Sequence, residues 1–139
     1  MHDHTMNLVY LLIAGLAVFF VIRLLFLARP GIDLTTAKAA LKSGAAVLVD
    51  IREPAEWTTG VARQAALLPY SDLRGARAQW RAFLAQQPGK QLLLYCHSGS
   101  RSGLAAAQLR AEGFDCVNTG SLRDWDRAGW PICTPKGLR

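Results

Sequence analysis

A run of 21 residues from Leu8 to Ala28, interrupted only by Tyr10, Gly15 and Arg23 and free of acidic side chains, constrains this chain more than any other feature. At about 1.5 Å per helical residue it spans roughly 31 Å, close to the thickness of a bilayer's hydrocarbon core. It predicts a membrane-spanning helix. A cleaved signal peptide would open on a basic segment and close on a small-residue cleavage site. Here the run follows Met1-His2-Asp3-His4-Thr5-Met6-Asn7, and Phe26-Leu27-Ala28 leads straight into Arg29-Pro30. An uncleaved anchor is therefore expected, with Arg23 near enough to its end to snorkel toward the headgroups.

Charge then sets orientation. Arg23, Arg29, Lys38 and Lys42 lie at or after the end of the run, whereas the segment before it carries Asp3 and no Lys or Arg. The positive-inside rule predicts a single-pass protein of the inner or plasma membrane, its short N-terminus outside and its C-terminal domain in the cytoplasm. Three cysteines, Cys96, Cys116 and Cys133, then sit in a reducing compartment. An odd count there argues for a reactive thiol over a disulfide framework.

Two units follow: residues 1–30, a tail and the anchor at about 8–28, and residues 31–139, enough chain for one ordinary domain with a core. Apolar residues make up 51% of the chain, which excludes a disordered linker. The formal net charge of +6 comes from scattered basic residues, so no nucleic-acid partner is expected. No metal motif, P-loop or dinucleotide fingerprint occurs, and no metal or cofactor is expected. His2 and His4 around Asp3 read as a solvated tail.

Within 31–139, short apolar strands alternate with helices. Strands are predicted at 47–51, 65–68, 91–95 and 114–118, and helices near 35–43, 55–58, 74–86, 101–112 and 122–128, punctuated by Gly44, Pro54, Pro88-Gly89, Gly113 and Gly129-Trp130-Pro131. Strands without polar alternation, separated by helices, imply an α/β fold: a parallel sheet covered by helices on both faces. Ligands of such sheets bind beyond the carboxyl ends of the strands. The two most polar, turn-rich segments fall there, after Ile51 and after Tyr95.

The second of these is the more informative. Cys96-His97-Ser98-Gly99-Ser100-Arg101-Ser102 joins an apolar strand to a helix, so loop amides and the helix N-terminus should converge on position 96. Gly99 allows a tight turn, Ser98, Ser100 and Ser102 can donate hydrogen bonds, and Arg101 adds fixed positive charge. Each favours a thiolate, which is a nucleophile whose transferred group is then cradled as an anion.

This segment resembles the active-site loop of the rhodanese family, Cys-x-x-Gly-x-Arg, at Cys96, Gly99 and Arg101. Asp50-Ile51-Arg52-Glu53-Pro54-Ala55-Glu56-Trp57 is similar to the family's Asp-Val-Arg-Glu-Pro-x-Glu-aromatic segment, and Gly120 to Trp125 with Gly129-Trp130-Pro131 to its C-terminal pattern. The likeness covers about residues 32 to 133. It departs from the family at Gly60-Val61-Ala62-Arg63-Gln64-Ala65 and at Gly120-Ser121.

The resemblance implies a thiosulfate-type sulfurtransferase. Cys96 would take the outer sulfur of thiosulfate or a persulfide donor, hold it as a persulfide within the loop His97, Ser98, Gly99, Ser100 and Arg101, and pass it to a thiol or cyanide. Arg101 either holds the anionic donor or pairs with a carboxylate to fix the loop. Asp50, Arg52 and Glu53 are expected to brace the pocket. A phosphatase or arsenate reductase is disfavoured because Cys96 to Arg101 is Cys-x4-Arg, one residue short of the phosphatase Cys-x5-Arg cradle. A noncatalytic membrane-tethered module is the rival from another class, and the presence of Cys96 argues against it. His97 reads as an exposed loop residue, Cys116 and Cys133 as buried or incidental thiols, and the four tryptophans as packing.

Overall fold

Side-chain alternation along the central strands decides which residues of this chain meet. A computed structural model describes residues 2–135; Met1 and 136–139, the outer limits of the two expected units, lie outside the described residues, as do the side chains of His2 and Asp3. In chain order the elements are α1 (His2–Ala28), α2 (Leu34–Lys42), β1 (Ala46–Asp50), α3 (Pro54–Trp57), β2 (Val61–Ala62), β3 (Ala66–Leu67), α4 (Tyr70–Arg74), α5 (Ala78–Ala85), β4 (Gln91–Cys96), α6 (Ser100–Ala111), β5 (Cys116–Ser121), α7 (Leu122–Arg127) and β6 (Ile132–Cys133).

Four strands form one parallel sheet in the order β3-β1-β4-β5. Successive side chains of a strand point to opposite faces, and both faces here are buried. Leu92, Leu94 and Cys96 of β4 join Leu73, Trp80, Ala105 and Leu109 from α4, α5 and α6. Leu93 and Tyr95 pack on the other face with Ala37 of α2 and Trp125 of α7. Each fully buried leucine contributes about 1.5–3 kcal/mol relative to exposure. The indoles of Trp80 and Trp125 bond through their N–H groups, to the Pro69 carbonyl at 3.0 Å and to Thr119 Oγ1 at 3.0 Å, whereas the buried Trp57 N–H has no partner among the described residues.

Three local features differ from the sequence reading. The helix expected over 74–86 starts only at Ala78, as α5, and a short helix α4 not expected from sequence precedes it, because Arg77 takes a left-handed φ of 60° and the Asp72 carboxylate accepts the Gln79 and Trp80 amides at 3.0 and 3.1 Å. Strand β5 begins at Cys116 and not at Phe114, because the Phe114 amide bonds to the Leu109 carbonyl at 3.0 Å and closes α6 through the left-handed Gly113. Strands β2 and β6 form a separate antiparallel pair too short for periodicity to show.

Helix α1 is long and apolar enough to cross a membrane by length and composition, and its apolar side chains are exposed along its length. Its last turn is different: Leu27 and Ala28 pack against α6.

Candidate active site

Cys96 ends β4 with its side chain on the α6 face, fully buried. The chain then turns sharply through Gly99, whose φ of 90° is left-handed, and enters α6 at Ser100. That turn brings the Gly99 amide to 3.1 Å from Cys96 Sγ, and the Ser102 hydroxyl lies 3.4 Å from the same sulfur. The first amides of a helix have no acceptor within it, so the opening turn of α6 leaves N–H groups for an anion carried by the sulfur. His97 and Ser98 are exposed, and Ser98 shares a hydrogen bond with Ser100 at 3.2 Å.

Arg101 pairs with Glu56 of α3. Its two terminal nitrogens each donate to a Glu56 carboxylate oxygen at 2.7 Å. This fork-to-fork pairing is the strong kind. Hydrogen bonding from Arg101 holds the Glu56 carboxyl down at about 2 from its ordinary 4.5, and the pairing with Glu56 raises Arg101 above its usual value. Of the two roles open to Arg101 from sequence, the geometry displays the carboxylate pair. Glu56 itself escaped the reading as a partner, although it sits inside the Asp50 to Trp57 motif. Its carboxylate also accepts the Glu53 amide at 2.9 Å, which binds it to the start of its own helix.

Asp50 and Arg52 lie across the sheet from Cys96. Asp50 sits beside Tyr95, whose hydroxyl donates to Asp50 Oδ2 at 2.6 Å and accepts the Ala62 amide at 2.9 Å. Arg52 meets Asp50 Oδ2 at 2.7 Å in a buried ion pair and donates onward to the carbonyls of Gly60 at 2.7 Å and Glu56 at 3.1 Å. Burial works against the charged guanidinium, but the hydrogen bonds and charge of Asp50 outweigh it and Arg52 is held above its ordinary value. Burial foremost, then the Asp50 charge, pushes the Tyr95 hydroxyl well up, so it stays a protonated donor. Removing one member of such a buried pair strands the other, at about 3–5 kcal/mol. Glu53 accepts from the Ser71 amide at 2.9 Å and from its hydroxyl at 2.7 Å, tying α3 to α4. The three residues thus join neighbouring loops, and none bonds to Cys96.

A cleft of about 740 Å³ opens beside the loop, lined by His97 and by Arg52, Arg123 and Arg127 with Asp124 and Asp126 among them. Cys96 pairs in register with Ser121, which starts α7. The Asp124 carboxylate is occupied by the Ser121 amide and hydroxyl at 2.8 and 2.7 Å. Among the described residues, Arg123 and Arg127 make no ion pair.

Known proteins resemble this chain in sequence and fold. A sulfurtransferase of Allochromatium vinosum is 36% identical over 94 residues, which cover 66% of this chain and 81% of that protein. An uncharacterized protein of Synechocystis is 36% identical over 103 residues, 73% of this chain, and the chain spans about half of that relative's length, 54%. The structure of a human single-domain sulfurtransferase matches with a TM-score of 0.58 at 27% identity, covering 71% of this chain and 96% of that one. The family model for the rhodanese-like domain matches residues 33–128, and by that match the chain belongs to the rhodanese-like domain family.

Proposed function

We propose that this protein is a sulfurtransferase that moves a sulfane sulfur from thiosulfate or a persulfide donor to a thiol or cyanide through a persulfide on Cys96. The observation that carries the reading is the Gly99 amide aimed at Cys96 Sγ at the mouth of α6. Amide dipoles there stabilise negative charge on sulfur.

In the first half-reaction the Cys96 thiolate attacks the outer sulfur of thiosulfate. An S–S bond forms on Cys96, the donor's S–S bond breaks, and sulfite departs with the electron pair. No proton moves. In the second, the acceptor's thiolate or cyanide attacks the outer sulfur of the persulfide and Cys96 leaves as thiolate, which restores the site. The free amides of α6 hold the outer sulfur between the two steps. Arg123 and Arg127, on the wall of the adjoining cleft, supply positive charge for an anionic donor, while Arg101 and Glu56 brace the loop.

Helix α1 tethers the domain to the inner or plasma membrane with the domain in the cytoplasm, supported by its exposed apolar surface and the basic residues that follow it. Purified full-length protein should produce thiocyanate from thiosulfate and cyanide; no thiocyanate would refute the thiosulfate assignment. Cys133 is exposed whereas Cys96 and Cys116 are buried, so it reports topology. An impermeant maleimide should label it only after cells are opened, and labelling of intact cells would reverse the orientation.

A further inference from the structure

Asn118 lies in β5, 4% exposed, beside the nucleophile's strand. Its carboxamide is fully used. The two N–H groups of Nδ2 lie within reach of three carbonyls, those of Leu27 at 3.0 Å, Arg29 at 3.2 Å and Gly99 at 3.1 Å, so one N–H is shared between two of them. Oδ1 accepts from Ser102 Oγ at 2.7 Å and from the Gly120 amide at 3.0 Å. The Asn118 carbonyl accepts the Gly31 amide at 2.8 Å. One residue therefore joins the end of α1 to the loop that carries Cys96.

The other half of this seat is made by what α6 lacks. A Cβ on Gly103 would lie 1.9 Å from the Leu27 carbonyl oxygen, and one on Gly99 would lie 2.6 Å from that of Ala28. These neighbours are backbone, which cannot swing aside as a side chain can. Gly99 and Gly103, one helical turn apart, leave bare backbone where α1 ends. The partly negative carboxyl end of α1 consequently meets the partly positive amino end of α6. Three separated positions, 99, 103 and 118, serve this single contact.

Ser102 connects the seat to the chemistry. Its hydroxyl has one proton and three acceptors in reach, Asn118 Oδ1 at 2.7 Å, Cys96 Sγ at 3.4 Å and the Gly120 carbonyl at 3.5 Å, of which Asn118 is much the shortest. While Asn118 holds that proton's bond, the oxygen's position beside the sulfur is set by Asn118, which is in turn set by α1.

We propose that Asn118 is a positioning residue for sulfur transfer, and that the last turn of α1, seated on Asn118, Gly99 and Gly103, is a working part of the Cys96 site. This rests on the sulfurtransferase reading above. The helix is then more than a tether, because the loop geometry depends on its end staying in place.

The test uses the full chain in detergent micelles with Asn118→Asp, which keeps the acceptors and loses the donors, and Gly103→Ala, which intrudes on Leu27 from the other side. Hydrogen exchange of the Gly31 amide reports seating. Persulfide formation from thiosulfate under single turnover reports the chemistry, and the pH profile of Cys96 alkylation by iodoacetamide reports the loop without any sulfur donor. Both variants should expose Gly31 to exchange, slow persulfide formation roughly tenfold to a hundredfold at saturating donor, and move the alkylation profile. Gln108→Ala, on the same helix with its side-chain amide bonded only to the exposed Glu112, should leave all three unchanged. Wild-type Cys96 kinetics and an unmoved alkylation profile in both variants would overturn the proposal, whether or not Gly31 exchange changes. Should the wild-type protein form no persulfide, the functional reading fails on its own, and the alkylation profile still decides whether Asn118 positions Cys96.

Discussion

Two cysteines, Cys96 and Cys116, are equally buried, on neighbouring strands of one sheet and within the same apolar cluster. They differ in which end of the strand they occupy. Cys96 closes β4, where the chain turns into the amino end of α6 and an amide reaches its sulfur. Cys116 opens β5, beside the carboxyl end of α6, where the Arg110 guanidinium donates to the Cys116 carbonyl at 2.9 Å. Burial pushes the Cys116 thiol up to about 12, so it stays protonated at any physiological pH. Burial alone does not mark a nucleophile. In a parallel sheet the carboxyl ends of the strands face helix amino ends, and of the two sulfurs it is the one proposed to react that lies there.

The largest expected effect breaks this pair apart. Cys96→Ser should abolish thiosulfate:cyanide activity while leaving the fold intact, whereas Cys116→Ala should keep activity within about twofold and cost on the order of 1 kcal/mol for a small cavity. Equal losses of activity from both would erase the distinction between the two ends. Thermal melts accompanying the kinetics separate chemistry from unfolding.

An intermediate effect concerns the brace on the reactive end. Glu56 is held at about 2 in the folded chain against an ordinary 4.5. A lowered carboxylate contributes stability that is fully present above its unfolded value and lost as pH falls through the folded one. Arg101→Ala and Glu56→Gln should therefore each melt below wild type at pH 7, and the gap should close as pH is lowered from about 5 to 2. A gap that persists at pH 2 would place the stabilisation elsewhere.

Smaller changes are expected at the cleft. Arg123→Ala and Arg127→Ala should raise KM for thiosulfate severalfold with kcat nearly unchanged, the mark of lost donor binding. His97→Ala should shift neither by more than about twofold, since an exposed loop side chain holds nothing in place. A fall in kcat from His97→Ala would put it into the chemistry.

What the sequence disclosed was what is local in the chain. Val47 to Ile51 and Gln91 to Tyr95 are apolar runs of strand length, and Gly113 and Pro54 mark ends by their own backbone preferences. The Cys96 loop was legible because seven consecutive residues carry it. Partnerships across the sheet were not. That Arg101 finds Glu56, that Tyr95 holds Asp50, and that Asn118 reaches α1 all depend on strand order, which no periodicity encodes. The break at Arg77 stayed hidden because a non-glycine residue adopts the left-handed turn and the Asp72 cap is supplied from the preceding helix.

Mass spectrometry of the purified full-length protein after thiosulfate treatment, with the modified peptide sequenced, tests the central claim most directly. Expected is a gain of one sulfur atom on Cys96, removed by cyanide, with Cys116 unmodified. Sulfur on Cys116 in place of Cys96, or no added sulfur on any cysteine, would contradict it.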